Sequence, residues 1–156
     1  MNIHPDIAAR TIEISRLIDA PRALVFQMFA DPKHLDAWWG PNGFRNETHA
    51  MKFEQGGLWH YTMHGPDGKD WPNWIKYNTI IPNEKLAYDH GGELNEPSHF
   101  SGEIHFADEA GKTRVTLSLV LPSVEDKEAK VKFGAVQGGE QTLGRLDVYV
   151  TSIKAA

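Results

Sequence analysis

A chain of 156 residues with 40% hydrophobic and 24% charged residues has the size and balance of one globular domain with a substantial core. Its formal charge of −5 argues against nucleic acid or an anionic membrane as the main partner, and no apolar run approaches the roughly 18 residues of a membrane span. The absence of cysteine removes disulfides, thiol nucleophiles and thiolate zinc sites; together with a leaderless stretch from Met1 to Arg10, it suits a cytoplasmic protein.

From Thr11 to Ile18 the pattern alternates, with Ile12, Ile14 and Ile18 on one side and Glu13, Ser15 and Leu17 on the other, which predicts a strand with one apolar face. Asp19-Ala20-Pro21 opens a helix with Pro21 at its first position and Leu24, Val25, Met28 and Phe29 as its buried stripe. Asp31-Pro32 stops that helix and can open a second short one, which holds Leu35 and ends at Trp38-Trp39-Gly40-Pro41. From Phe44 onward the segments 44–53, 57–64, 72–81, 84–91, 98–107 and 112–121 read as strands. The breaks between them include Gln55-Gly56-Gly57, Gly65-Pro66-Asp67-Gly68, Pro82-Asn83 and Glu109-Ala110-Gly111, so an antiparallel meander is expected. Trp59, Tyr61 and Met63 alternate with His60, Thr62 and His64, as Val115, Leu117, Leu119 and Leu121 do with Thr116 and Ser118.

The run from Ser123 to Ile153 reads as one long helix. Ser123 is its N-cap, Asp126 stands three residues on, and Val136, Leu143, Leu146, Val150 and Ile153 form an apolar stripe. Gly134, Gly138, Gly139 and Gly144 interrupt the pattern. Either the helix is kinked or broken near 134–139, or side chains are withheld there because a close backbone or a ligand takes the space. A seven-stranded sheet with one apolar face needs a cover, and this helix is the element long enough to provide it. The expected architecture is therefore α+β, a curved antiparallel sheet wrapped around the C-terminal helix, with two short helices between the first two strands.

Several stretches in register carry a family resemblance. They are Asp19-Ala20-Pro21, Trp38-Trp39-Gly40-Pro41, Gly56-Gly57 with Trp59, His64-Gly65-Pro66-Asp67-Gly68 and Ile80-Ile81-Pro82-Asn83-Glu84-Lys85-Leu86. The ending Gly138-Gly139-Glu140-Gln141-Thr142-Leu143-Gly144-Arg145-Leu146 completes the set. Together the chain resembles the stand-alone bacterial proteins named after the activator of the 90-kDa heat-shock-protein ATPase, within the START-like (SRPBCC) superfamily, from about residue 10 to 153. The resemblance implies a single helix-grip domain over residues 1–156, with a deep apolar cavity between sheet and last helix that holds a hydrophobic ligand. It also implies, by name alone, a stress-response role and a chaperone partner. The eukaryotic activator's extra N-terminal domain has no room in 156 residues, so that activity is not carried over.

The strands are rich in rings, which suits a pocket for a flat or apolar molecule with a few polar anchors. Expected ligand-binding residues are Trp39, Trp59, Tyr61, Met63, Trp74, Tyr77, Tyr88, His90, Phe100, Val136, Gly139, Glu140 and Leu143. Glu140 is expected to lean inward from the helix; with His90 and Tyr61 it would form an acid-base set if the cavity served a cyclase-like or other enzymatic reaction. Eight histidines invite a metal reading, but His60 and His64 share the strand face opposite Trp59, Tyr61 and Met63, while His49, His99 and His105 lack compact ligand spacing, and no H-E-x-x-H element occurs. Neither a metal nor another cofactor is expected; the partner is a small hydrophobic molecule, and pairing of two chains stays open.

Overall fold

The computed structural model describes residues 5–156, so the reading of the N-terminus as leaderless rests partly on residues outside the described ones. A single seven-stranded antiparallel sheet is built from β1 (Thr11–Ile18), β2 (Arg45–Met51), β3 (Leu58–His64), β4 (Asp70–Ile81), β5 (Lys85–Gly91), β6 (Phe100–Glu109) and β7 (Lys112–Val120). The order across the sheet is β1-β7-β6-β5-β4-β3-β2, a meander closed by the first strand. β1 pairs with β7 from Thr11 opposite Val120 to Ile18 opposite Thr113. Turn chemistry sets the boundaries: Asn83 and Ala110 take positive φ at the β4–β5 and β6–β7 turns, beside the Pro82-Asn83 and Ala110-Gly111 signals.

A five-residue helix α1 (Pro5–Ala9), which no sequence signal announced, precedes β1. The two helices expected between β1 and β2 are α2 (Arg22–Ala30) and α3 (Pro32–Trp38). Pro21 stands one residue earlier than expected, at the extended cap position of α2, while Pro32 opens α3. The Asp31 side chain accepts from the Lys33 N–H at 2.9 Å, satisfying one of the free donors at the start of α3.

The C-terminal run differs from the single helix expected. It forms α4 (Val124–Lys132) and α5 (Ala135–Ala155), separated at Phe133-Gly134, and Gly134 has φ 90°. Only glycine adopts that conformation freely, so the chain turns there rather than at Gly138, Gly139 or Gly144. The Ser123 cap is formed, with its hydroxyl accepting from Asp126 N–H at 3.1 Å. α4 buries no side chain, whereas α5 buries Thr142, Leu143, Leu146 and Val150. Each large apolar side chain buried this way contributes about 1.5–3 kcal/mol, which is why α5 is anchored and α4 is not.

The core lies between the concave sheet face and α2, α3 and α5. Ile12, Ile14 and Ile18 of β1 are buried, as the alternation requires; Arg16, on the same face, reaches Asp147 of α5 at 3.0 Å. Trp38 is 1% exposed and donates to the Met28 carbonyl at 3.0 Å, closing the corner between α2 and α3. From α5, Arg145 donates to the carbonyls of Gly40 and Pro41, both at 2.9 Å, so a cation sits against the C-terminal end of α3 and holds the loop that follows it.

Candidate functional site

One half of the space between sheet and helices is filled and the other is not. Toward α2 and α3, Trp59, Tyr77, Leu86 and Ile104 interlock around a residual void of about 10 Å³, at the lower limit for one water. Toward the α4–α5 junction a cavity of about 410 Å³ remains. Its floor is the inner face of the sheet, with Tyr61 and Met63 of β3, Asn73 of β4, Tyr88 and His90 of β5, Phe100 of β6, and Leu117 and Leu119 of β7. Its roof is Gly138, Gly139 and Thr142 of α5; Trp39, Gly40 and Pro41 close one side, and Lys130, Phe133 and Gly134 form the rim.

Two glycines create room. A Cβ at Gly102 would collide with the Tyr88 ring, which lies across that strand position. A Cβ at Gly139 would collide with Cδ1 of Ile14, itself part of the lining. The gap in the apolar stripe at Gly139 therefore marks a close approach of α5 to β1 beside the cavity.

The polar groups inside are few and largely unengaged. Trp39 Nε1–H donates to the Tyr61 hydroxyl at 3.1 Å, leaving the Tyr61 O–H free to donate onward. Among the described residues the Tyr88 hydroxyl makes no hydrogen bond. His90 stacks on Phe100 with ring centroids 4.6 Å apart and planes 14° apart. Its Nδ1 is buried without a partner, and neither ring nitrogen is hydrogen-bonded within the described residues. Burial, and then the nearby His99 and Lys130, lower the His90 pKa to about 3, so the ring is neutral at physiological pH. Burial likewise raises the Tyr61 and Tyr88 hydroxyls well above the ordinary tyrosine range.

Of the residues expected to line a pocket, Trp39, Tyr61, Met63, Tyr88, His90, Phe100 and Gly139 do so. Trp59, Tyr77 and Leu143 are instead buried in the filled part, at 1%, 3% and 1% exposure. Val136 is half-buried against the core and does not reach the cavity. Trp74 is a correction: Asn73, Ile75 and Tyr77 face inward on β4, so Trp74 points out and donates to the Glu93 carbonyl at 2.9 Å. Glu140 is a second correction, exposed and absent from the lining: with Leu143, Leu146 and Val150 buried, it stands roughly 100° round α5 from the inward Gly139, on the flank that meets solvent. The expected acid-base set of Glu140, His90 and Tyr61 is accordingly not assembled in one place.

The structure adds Asn73, Thr142, Lys130 and Phe133 to the lining. Parity could have found Asn73 once Tyr61 and Tyr77 were assigned inward. Lys130 and Phe133 carried no such signal, because a straight helix would have sent them elsewhere. A second concavity, of about 520 Å³, lies outside α5 near Ala37, Arg145 and Tyr149. Two of its principal polar groups are already engaged, Arg145 with loop carbonyls and the Tyr149 hydroxyl with His34 Nδ1 at 2.7 Å. The cavity is the better site.

Residues 19–151 match the family model of activator of Hsp90 ATPase homolog 1-like proteins. The chain belongs to that family. No curated protein matches it by sequence. Among solved structures, a Mycobacterium smegmatis protein aligns with TM-score 0.85 and 21% identity over 98% of each chain. One from Nitrosomonas europaea aligns with TM-score 0.87 and 18% identity, covering 96% of this chain and 99% of the other. The AHSA1 protein from Silicibacter pomeroyi aligns at TM-score 0.69 and 16% identity, over 90% and 97% respectively. These likenesses establish the helix-grip, START-like fold for this family member, a fold compatible with a ligand-binding domain. No helix of the described residues is long and apolar enough to cross a membrane.

Proposed function

We propose that this family member is a binding module that takes a small hydrophobic, ring-containing molecule into the cavity between sheet and α5. The observation that carries the reading is a void of about 410 Å³ walled by Ile14, Met63, Phe100, Leu117 and Leu119, with His90 left without a hydrogen-bond partner inside it. A buried polar atom without a partner costs about 1–3 kcal/mol, a penalty that a ligand reaching it relieves. Proton-transfer chemistry is less well supported. Among the described residues no carboxylate lines the cavity, and a histidine with a pKa of about 3 is a weak base near pH 7.

At about 30 Å³ per water-sized unit, the cavity holds a molecule of roughly a dozen heavy atoms. Generic contacts at about −0.3 kcal/mol per atom give such a ligand a Kd near 1 mM; anything tighter requires polar matching. Native mass spectrometry of protein purified gently from its own cells should show a retained small molecule. Filling the void with Leu119→Trp should abolish that adduct, and the binding of an added naphthalene-sized probe, while the far-ultraviolet circular dichroism is retained. Unchanged probe binding in a folded Leu119→Trp variant would refute the cavity as the site.

A further inference from the structure

The charges around the cavity are arranged asymmetrically. Among the described residues that line it, Lys130 carries the one full charge, and none is aspartate, glutamate or arginine. It stands in the last turn of α4, with Nζ 5.8 Å from the centroid of the Phe100 ring, over the Phe100–His90 stack at the cavity edge. Among the described residues Lys130 makes no ion pair or hydrogen bond. Asp126, one turn earlier on α4, lines the groove outside the cavity and not the cavity itself. The ammonium is close enough to the interior to contribute to the depressed His90 pKa.

Deeper in, every polar side chain among the described lining residues is neutral: the Tyr61, Tyr88 and Thr142 hydroxyls, the Asn73 amide and the uncharged His90 ring. Such groups can hydrogen-bond a ring substituent but cannot offset a full charge taken out of water. A cationic ligand would meet Lys130 at the rim and no carboxylate inside. An anionic group has one favourable position, at the rim, with the uncharged remainder of the molecule inward.

Resting on the reading of the cavity as a ligand site, we propose that its occupant is a small aromatic acid, bound ring-inward with its carboxylate at the Lys130 ammonium. The ring fills the apolar volume against Phe100 and Leu119. A hydroxyl or carbonyl on the ring would meet the free hydroxyls and the imidazole.

The test uses three probes that share one ring system, 2-naphthoate, 2-naphthol and 2-naphthylmethylammonium, titrated into the full chain at pH 7 and low ionic strength by calorimetry. Naphthoate should bind about fivefold tighter than naphthol, the size expected for a partly exposed ion pair, and the ammonium probe should bind weakest. Salt at roughly physiological strength should narrow the naphthoate advantage. Lys130→Gln, an exposed substitution, should bring naphthoate to the affinity of naphthol and leave naphthol unchanged. If naphthol binds and naphthoate binds no tighter, the acid assignment falls and the cavity reading stands. An equal loss for all three probes in Lys130→Gln would mean that the lysine only shapes the rim, which also overturns the proposal. If none of the probes binds at millimolar concentration, the cavity reading itself fails, and the acid assignment with it.

Discussion

His90 and His64 show how two identical side chains acquire opposite pH behaviour. His90 has a lowered pKa of about 3 in the folded state because its charged form would be stranded away from water. Its unfolded value near 6.5 is higher, so the unfolded chain binds the proton more readily. The neutral ring is therefore fully compatible with folding above about pH 6.5 and opposes it progressively as pH falls toward about 3. Replacing it by Phe should flatten that decline, and between pH 7 and 4.5 the wild type should lose on the order of 2–3 kcal/mol more than His90→Phe, read as urea midpoints. His64, on the outer face, lies between Asp70 at 2.6 Å and Glu47 at 2.9 Å, and both carboxylates raise its pKa. Its stabilising effect is complete below its unfolded value and disappears as pH rises through the raised one; Glu47, lowered by the same contact, loses its effect as pH falls. In His64→Gln the stability profile should lose a maximum in the window between those limits, and an unaltered profile would show the bridge to be inert. At this scale much of the site was readable, because strand parity aims Tyr61, Met63, Tyr88 and His90 at one face. Trp74 was not, since expecting both Trp74 and Tyr77 inward put positions of opposite parity on one face of a strand, and the period of two admits only Tyr77.

The boundary between α4 and α5 is the element on which the cavity depends. Had the helix continued straight, its next turns would have followed the apolar stripe; the break at Gly134 instead leaves α4 without a buried side chain at the rim. Gly134→Ala forces a Cβ into the left-handed region, at a cost of about 1–2 kcal/mol. The predicted outcome is confined to α4: faster amide exchange over 124–133 with protection in α5 and the sheet retained. Uniform loss of protection would show that α4 belongs to the core unit. The strands were legible to within a few residues because proline, glycine and asparagine mark nearly every turn between them. The break was not, because four glycines compete in that stretch and the backbone angle that separates Gly134 from the others is set by tertiary packing. Glu140 was misread for another reason: it neighbours the inward Gly139 in sequence, but one residue on a helix is a rotation of roughly 100°.

For the molecule as a whole, ligand binding and stability are linked. A ligand at 100 times its Kd adds about 2.7 kcal/mol to a fold that the unfolded chain cannot match. For a domain near this size each kcal/mol raises Tm by about 2–4 °C, so saturation should raise Tm by roughly 5–10 °C in a thermal melt. The Leu119→Trp variant should show no such rise. The sheet order has a consequence of another kind. Among the described residues β1 pairs with β7 alone, joined through Thr11 opposite Val120 at one end. On the ribosome, Ile12, Ile14 and Ile18 emerge long before β7, their pairing partner, which follows after about a hundred further residues. At about 5–20 residues per second that interval is roughly 5–20 s. Nascent copies of this chain thus carry a sticky ribbon for most of their synthesis: its backbone edge is closed by the last strand to be made, and Ile14 is covered only when α5 follows.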